Sequence, residues 1–255
     1  MTCDLFTGSR LLLQIAERVL MSSNIVDKPE LREQTQVFED RSHAGEVLAG
    51  MMTSQDVQDG IILAIPAGGV PVGARMAEET GLDLDVAVVS KITLPWNSEA
   101  GYGAVAFDGT LKLNEEMVRH MGLTEQQVEQ GIRTTKSKVA RRVEALRGSK
   151  PRPELVERPA ILVDDGLASG FTMQVAVTAL RRAGAKRILV AVPTAHTRAA
   201  EMVAREVEVL YCANIRSGFS YAVASAYRHW VDVTEDEAKA ILARCAGDAA
   251  EKMSF

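Results

Sequence analysis

Two stretches of the chain, residues 61–89 and 160–192, repeat one pattern: a short apolar run, a loop containing glycine, an amphipathic stretch, and a second apolar run. Ile61-Ile-Leu-Ala-Ile65 is apolar throughout and too short for a typical helix, as expected of a strand buried on both faces. Pro66-Ala-Gly-Gly69 breaks it, residues 71–80 continue at helical spacing to Gly81, and Val86-Ala-Val-Val89 closes the unit. In the second copy a strand at 160–163 ends in Asp164-Asp165-Gly166, a helix follows over 171–183 to Gly184, and Arg187–Val192 is the next strand. This alternation predicts an α/β fold: a doubly wound, mostly parallel sheet with helices on both faces. In such sheets ligands sit beyond the C-terminal ends of the strands. Both glycine loops, the acidic pair and Lys91 fall at those ends.

The rest of the chain is arranged around these units. Residues 9–22 read as an amphipathic helix, 24–36 as a polar connector, and 41–53 as a helix capped by Asp40. Residues 92–104 read as a mobile loop, and 104–113 as a hairpin around Asp108-Gly109. Residues 114–147 read as two polar helices capped by Asn114 and Thr124. The second carries Arg133, Lys136, Lys138, Arg141, Arg142 and Arg147, which suit a solvated face or, alternatively, a pyrophosphate or nucleic-acid contact. A strand at 208–213 and a last helix over 234–245, with Thr234 and Glu237 as its capping pair, complete the pattern.

The 255 residues carry a formal net charge of -5, which disfavours nucleic acid as the main partner. Cys3, Cys212 and Cys245 lack metal-ligand spacing and read as free thiols. The four histidines form no metal signature; His196, just after a strand, reads as a surface or capping residue. Glu17 and Arg18 interrupt the only signal-like run, and no apolar run reaches bilayer length, so the expectation is a cytoplasmic protein without a membrane segment.

Asp164 and Asp165 are where the chemistry concentrates. Adjacent carboxylates at the end of an apolar strand repel one another and need hydroxyl donors or a cation. A sugar diol supplies the donors, and Mg²⁺ accepts oxygen ligands. Ala168, Ser169, Gly170, Phe171 and Thr172 then bring free N–H groups to a helix start, a natural anion site. The plainer alternative is a strand-to-helix turn capped by Ser169. Together the acids and the N–H groups suit a sugar phosphate. Gly68 and Gly69 allow a second close backbone approach, and Lys91 can neutralise phosphate oxygens or be an ordinary surface lysine. Neither a dinucleotide fingerprint nor a Walker loop is present.

Val163-Asp-Asp-Gly-Leu-Ala-Ser-Gly-Phe-Thr172 resembles the phosphoribosyl-diphosphate signature of type I phosphoribosyltransferases, commonly Val-Asp-Asp-Gly-x-Ala-Thr-Gly-x-Thr. The resemblance runs from about Phe38 to about Leu242 and is nearest to a branch of uncharacterised members. That branch shares Phe38-Glu-Asp40-Arg41-Ser-His-Ala44-Gly45, the Pro-x-Gly-Gly loop, a Lys-Ile step, and Glu99-Ala-Gly-Tyr-Gly103-Ala104-Val105. It implies an extension over 1–36, a catalytic domain over 37–242 with a small hood and a helical insertion at about 114–150, and a tail over 243–255.

By that resemblance Asp164 and Asp165 hold the ribose hydroxyls, partly through Mg²⁺, and Ala168 to Thr172 cradle the 5-phosphate. Ala67, Gly68 and Gly69 form the pyrophosphate loop, which in the family often contains a non-proline cis peptide. Lys91 sits near the pyrophosphate and joins the two aspartates as a catalytic residue. Residues 94–106, with Glu99, Tyr102 and Gly103, form a flexible lid. The implied partners are phosphoribosyl diphosphate and a small-molecule acceptor, and the implied assembly is a homodimer. Phe219 and Tyr221 can stack on an acceptor base or simply pack. Three departures stand out. Ser169 keeps the usual hydroxyl, Phe171 replaces a small residue, and Ala168 stands where 6-oxopurine enzymes carry an acid. The alternative function is a sensor of phosphoribosyl diphosphate or a nucleotide on the same fold. A hydrolytic reading needs a water-activating base that the sequence does not identify.

Overall fold

The computed structural model describes residues 24–156, 158–218 and 220–252, so the helix expected at 9–22 and the ring of Phe219 lie outside the described residues. Six parallel strands form the central sheet: β1 (Ile25–Asp27), β2 (Ile61–Ala64), β3 (Asp83–Val86), β7 (Ala160–Val163), β8 (Ile188–His196) and β9 (Val209–Arg216), in the order β1-β9-β8-β7-β2-β3. Successive residues serve opposite faces, which is why these runs are apolar throughout. Ile61, Leu63, Leu162, Val190 and Val192 point to one core with α6 (Phe171–Arg182) and α7 (Thr197–Ala204). Ile62, Ile161, Val163, Leu189 and Ala191 point to the other with α1 (Arg41–Ala49) and α3 (Gly69–Thr80).

Strand order reverses between β2 and β7. From β2 the chain runs outward to β3; from β7 it runs the other way to β8 and β9. The two loops that leave these adjacent strands are Pro66–Gly69 and Asp164–Gly170. They flank the crevice where ligands bind in open α/β sheets.

A three-stranded antiparallel sheet, β4 (Val89–Leu94), β5 (Asn97–Ala106) and β6 (Leu111–Leu113), follows β3. The two-helix insertion α4 (Glu115–His120) and α5 (Glu125–Arg147) comes next, with Asn114 and Thr124 capping as expected. The expected strand 86–89 is in fact a junction. Val86 ends β3 opposite Ala64, and Val89 begins β4 opposite Ala106. Val86 to Val89 are all buried, so apolarity alone does not reveal the change of partner.

Residues 24–36 are also more than a connector. β1 adds an edge strand beside β9, and Asn24 Nδ2 donates to the carbonyls of Ala204 and Val207 at 2.7 and 2.8 Å. β1 is only Ile25-Val26-Asp27, too short an apolar run to stand out within a polar stretch. The last helix, α8 (Glu235–Lys252), runs past the end expected near 245. The short α2 (Ser54–Val57) precedes β2. On α5, Arg142 bonds Glu235 and the Ser90 hydroxyl, Arg147 pairs with Asp85, and Arg133 pairs with Glu129. Much of the basic run is therefore spent on intramolecular bonds.

Candidate active site

Asp164 and Asp165 follow β7 directly and are half-buried in the crevice. The Asp165 N–H donates to Asp164 Oδ1 at 2.9 Å, folding the first carboxylate back over the turn. Burial pushes the Asp164 carboxyl well above the ordinary range, and the neighbouring Asp165 charge adds to it; the Asp165 N–H and Arg41 oppose both. Burial also raises Asp165, against the opposing pull of Arg41. The pair is thus short of positive charge, as an acceptor of hydroxyl donors or a cation must be.

Arg41, in the first turn of α1, supplies the one cation bonded to the pair among the described residues. Its Nε and Nη2 donate to Asp165 Oδ2 at 3.0 and 2.8 Å, and its Nη1 donates to the Val231 carbonyl at 2.7 Å. The guanidinium lies 3.8 Å from the Trp230 ring centroid. The Tyr227 hydroxyl donates to the Asp165 carbonyl at 2.6 Å. The motif that contains Arg41 does not by itself indicate this role. A signal is nevertheless present in the sequence: Arg41 shares the buried stripe of α1 with Ala44 and Leu48, an unusual place for an arginine without an acidic partner.

The glycine loop packs directly on this turn. A Cβ on Gly68 would lie 2.0 Å from Asp165 Oδ2, and one on Gly69 would lie 2.6 Å from the Val163 carbonyl oxygen. Both positions therefore require glycine. The Pro66–Ala67 peptide bond is cis, as the resemblance implies for this loop.

On the other side of the crevice a loop leads into a helix start, as expected. Ala168 and Ser169 are exposed, Gly170 takes a left-handed conformation with φ 71°, and α6 begins at Phe171. The first N–H groups of a helix have no backbone partner within it, so they are available to an anion at this helix start. Gly170, rather than Ser169, occupies the N-cap position; Ser169 Oγ accepts from the Phe171 N–H at 3.3 Å. Lys112 of β6 reaches the same helix start, with Nζ 3.3 Å from Gln174 Oε1 and 5.8 Å from the Phe171 ring centroid. Spacing alone does not reveal that contact, because two helices and a strand separate the residues.

The match to known proteins agrees with this geometry. Residues 112–225 fit the model of the phosphoribosyl transferase domain. In two strains of Mycobacterium tuberculosis, proteins provisionally named phosphoribosyl transferases are 33% identical over 215 residues, covering 84% of this chain and 48% of their own length. The chain therefore spans about half the length of these curated relatives. The crystal structure of TT1426 from Thermus thermophilus superposes with a TM-score of 0.65 at 31% identity, covering 81% of this chain and 98% of that one. The chain belongs to the phosphoribosyltransferase family.

Within that family frame, several expected site residues lie elsewhere than anticipated. Residues 94–106, which the resemblance implies are a lid, form most of the β4–β5 hairpin rather than the loop read over 92–104. Tyr102 is 0% exposed and packs over Gly131 of α5, whose added Cβ would meet the Tyr102 hydroxyl at 2.1 Å. Gly103 sits between Ile92 and Leu113, where a Cβ would clash, so it is a packing glycine. Glu99 falls in the same strand, β5. The exposed apolar group of the hairpin is Trp96, at its tip. Lys91 lies inside β4 opposite Ala104, its stem against Gly101, rather than at the end of a parallel strand.

Tyr221 stands at the C-terminal end of β8. Its hydroxyl lies 3.3 Å from Thr194 Oγ1, the Arg216 guanidinium sits 4.5 Å from its ring centroid, and His196 meets it edge-on. Burial raises its hydroxyl to about 12, so it stays neutral. His196 caps α7 through Nδ1, as its position suggested.

Among the described residues no three His, Cys, Asp or Glu side chains gather into a metal site. Mg²⁺ commonly takes one or two carboxylates and completes its shell with water and substrate phosphate oxygens. Asp164 and Asp165 fit that partial set. Among the described residues no helix is long and apolar enough to cross a membrane.

Proposed function

We propose that the protein transfers the 5-phosphoribosyl group of phosphoribosyl diphosphate to a nitrogen heterocycle, with release of pyrophosphate. The observation that carries this reading is the convergence at one switch point of a charge-deficient carboxylate pair, a helix-start anion cradle and a close-packed glycine loop. A ribose carrying a phosphate at one end and a diphosphate at the other matches all three.

In this reading Ala168 to Thr172 bind the 5-phosphate through backbone N–H groups and the hydroxyls of Ser169 and Thr172. Asp164, with the open oxygen of Asp165, accepts from the ribose hydroxyls. Ala67 to Gly69 lie along the diphosphate, Lys91 is the candidate for added positive charge there, and Lys112 is the candidate at the cradle. Asp164 and Asp165 would hold Mg²⁺, which would supply charge neutralisation for the leaving group. The C1–oxygen bond breaks with its electron pair leaving on pyrophosphate, a C1–nitrogen bond forms, and the acceptor nitrogen loses its proton. Positive charge develops on the sugar ring, as in glycoside cleavage. In this reading the β4–β5 hairpin is the cover that limits hydrolysis. Tyr221, neutral and half-buried beside the acidic turn, is the described candidate for an acceptor wall.

The test is incubation with phosphoribosyl diphosphate, Mg²⁺ and a panel of bases while pyrophosphate is measured. Release that depends on a base supports transfer. Release without a base indicates hydrolysis, and a ligand-induced thermal shift without turnover indicates a sensor.

A further inference from the structure

We infer that Arg41 is a positioning residue of the pyrophosphate half-site, acting through Asp165, so that the two aspartates have different tasks. This rests on the proposed function and goes beyond it. Asp165 Oδ2 accepts both Arg41 bonds, at 3.0 and 2.8 Å. The same oxygen occupies the place a Gly68 side chain would take, 2.0 Å from the ideal Cβ position. It is therefore a strut, turned toward the glycine loop and held there. Its main chain is fixed as well, by the Tyr227 hydroxyl on its carbonyl.

Arg41 is itself immobilised. The Val231 carbonyl accepts from Nη1, the Trp230 ring covers its face, and its side chain is 9% exposed. A guanidinium can make all these contacts at once; an ammonium cannot. Asp164 differs. The one hydrogen bond to its carboxylate among the described residues is the Asp165 N–H, on Oδ1, which leaves Oδ2 for a ligand. Asp164 is thus the carboxylate that meets the sugar, and Arg41–Asp165 is the brace that sets where Gly68 stands.

The experiment uses the full chain and the two halves of the donor as separate probes: ribose 5-phosphate for the cradle, and pyrophosphate with Mg²⁺ for the glycine loop, each by calorimetry. The wild type binds both. Arg41→Gln is expected to weaken pyrophosphate binding by about 10–100-fold, the usual range for a residue supporting a direct contact, while ribose 5-phosphate binding stays within about twofold. Arg41→Lys should fall between the two, because it keeps the charge and loses the fork. Asp165→Asn with Arg41→Gln should be no worse than the more damaging single change, since both remove one brace.

A uniform loss for both probes, or additive losses in the double variant, overturns the inference. If Arg41→Gln does not fold, Gly68→Ala carries the test: it disturbs the same contact from the other side and should show the same selective loss. Equal loss of both probes there would sink the idea. A wild type that binds neither probe overturns the proposed function itself, whereas normal wild-type binding with no effect at Arg41 overturns the brace alone.

Discussion

Two acidic sites, a carboxylate pair and a single buried aspartate, sit at opposite ends of the same sheet, and they are built in opposite ways. At the C-terminal end Asp164 and Asp165 repel each other, and one arginine is bonded to the pair. At the N-terminal end Asp56, which precedes β2, is 5% exposed and accepts from the Thr53 hydroxyl, the Tyr211 hydroxyl and Arg187. Burial pushes the Asp56 carboxyl up, but the bonds from Thr53 and Tyr211 and the Arg187 charge outweigh it and hold the group below its ordinary range. At Asp164 burial and the adjacent charge win instead. A saturated carboxylate ties the chain together; an unsaturated one is open to a partner not found among the described residues.

The most severe way to test that contrast is Asp164→Asn. The change removes an acceptor for sugar hydroxyls and cation, and bonds to a charged group contribute about 1.5–3 kcal/mol each, so two lost bonds weaken donor binding by roughly 100-fold or more. The unliganded protein should become more stable, because the neutral amide removes a charge that burial disfavours. Relief of about 1 kcal/mol raises Tm by about 2–4 °C in a domain of this size. Calorimetry for binding and thermal unfolding for stability read the two effects separately. A variant that loses both binding and stability would place Asp164 among the structural acids and erase the contrast.

This division of labour is partly legible in the sequence. The strands that flank the crevice announce themselves as short apolar runs, and the acids, cradle and glycine loop are each contiguous in the chain. The brace is not contiguous: Arg41 and Asp165 are 124 residues apart, and Tyr227 is 62 residues beyond Asp165. Only the stripe spacing of Arg41 with Ala44 and Leu48 hints that its side chain points inward. The stretch read as a mobile loop over 92–104 is strand for a related reason. Gly101 and Gly103 look like loop residues, yet each lies in β5 with a neighbour pressed where its side chain would be, Lys91 at 3.2 Å and Leu113 at 2.8 Å. Glycine marks close approach as readily as freedom, and local sequence does not distinguish the two.

Asp56→Ala sharpens the comparison from the other end. It strands Tyr211 and Arg187 and should cost about 2 kcal/mol, less than a fully buried pair because Arg187 is partly exposed. Donor binding should be unchanged. The pH dependences should also have opposite signs. The Asp56 carboxyl is lowered from 3.8, so its contribution is present above that value and is lost as pH falls through the folded-state pKa; wild type and Asp56→Ala should converge in strong acid. The Asp164 carboxyl is raised from 3.8, so its penalty is absent below that value and grows as pH rises toward the folded-state pKa; the advantage of Asp164→Asn should appear only above about pH 4. Denaturant unfolding between pH 3 and 8 checks both. Parallel profiles for the two variants would show that the sites are electrostatically alike.

The smallest expected effects come from a matched pair of tyrosines. Tyr211 donates to the Asp56 carboxylate, and Tyr227 donates to the Asp165 carbonyl at 2.6 Å. Both hydroxyls are pushed above their ordinary range chiefly by burial, Tyr211 to about 12, so both remain donors across the working pH range. Each Tyr→Phe change deletes one hydroxyl and leaves the ring in place, at a cost of about 1 kcal/mol. Stability should fall by similar amounts in Tyr211→Phe and Tyr227→Phe. Affinity for pyrophosphate with Mg²⁺ should separate them, falling a few-fold in Tyr227→Phe, where the turn carrying Asp165 loosens, and holding in Tyr211→Phe. An affinity loss in Tyr211→Phe would mean that the N-terminal site is coupled through the strands to the crevice. The saturated acid would then serve binding as well as stability.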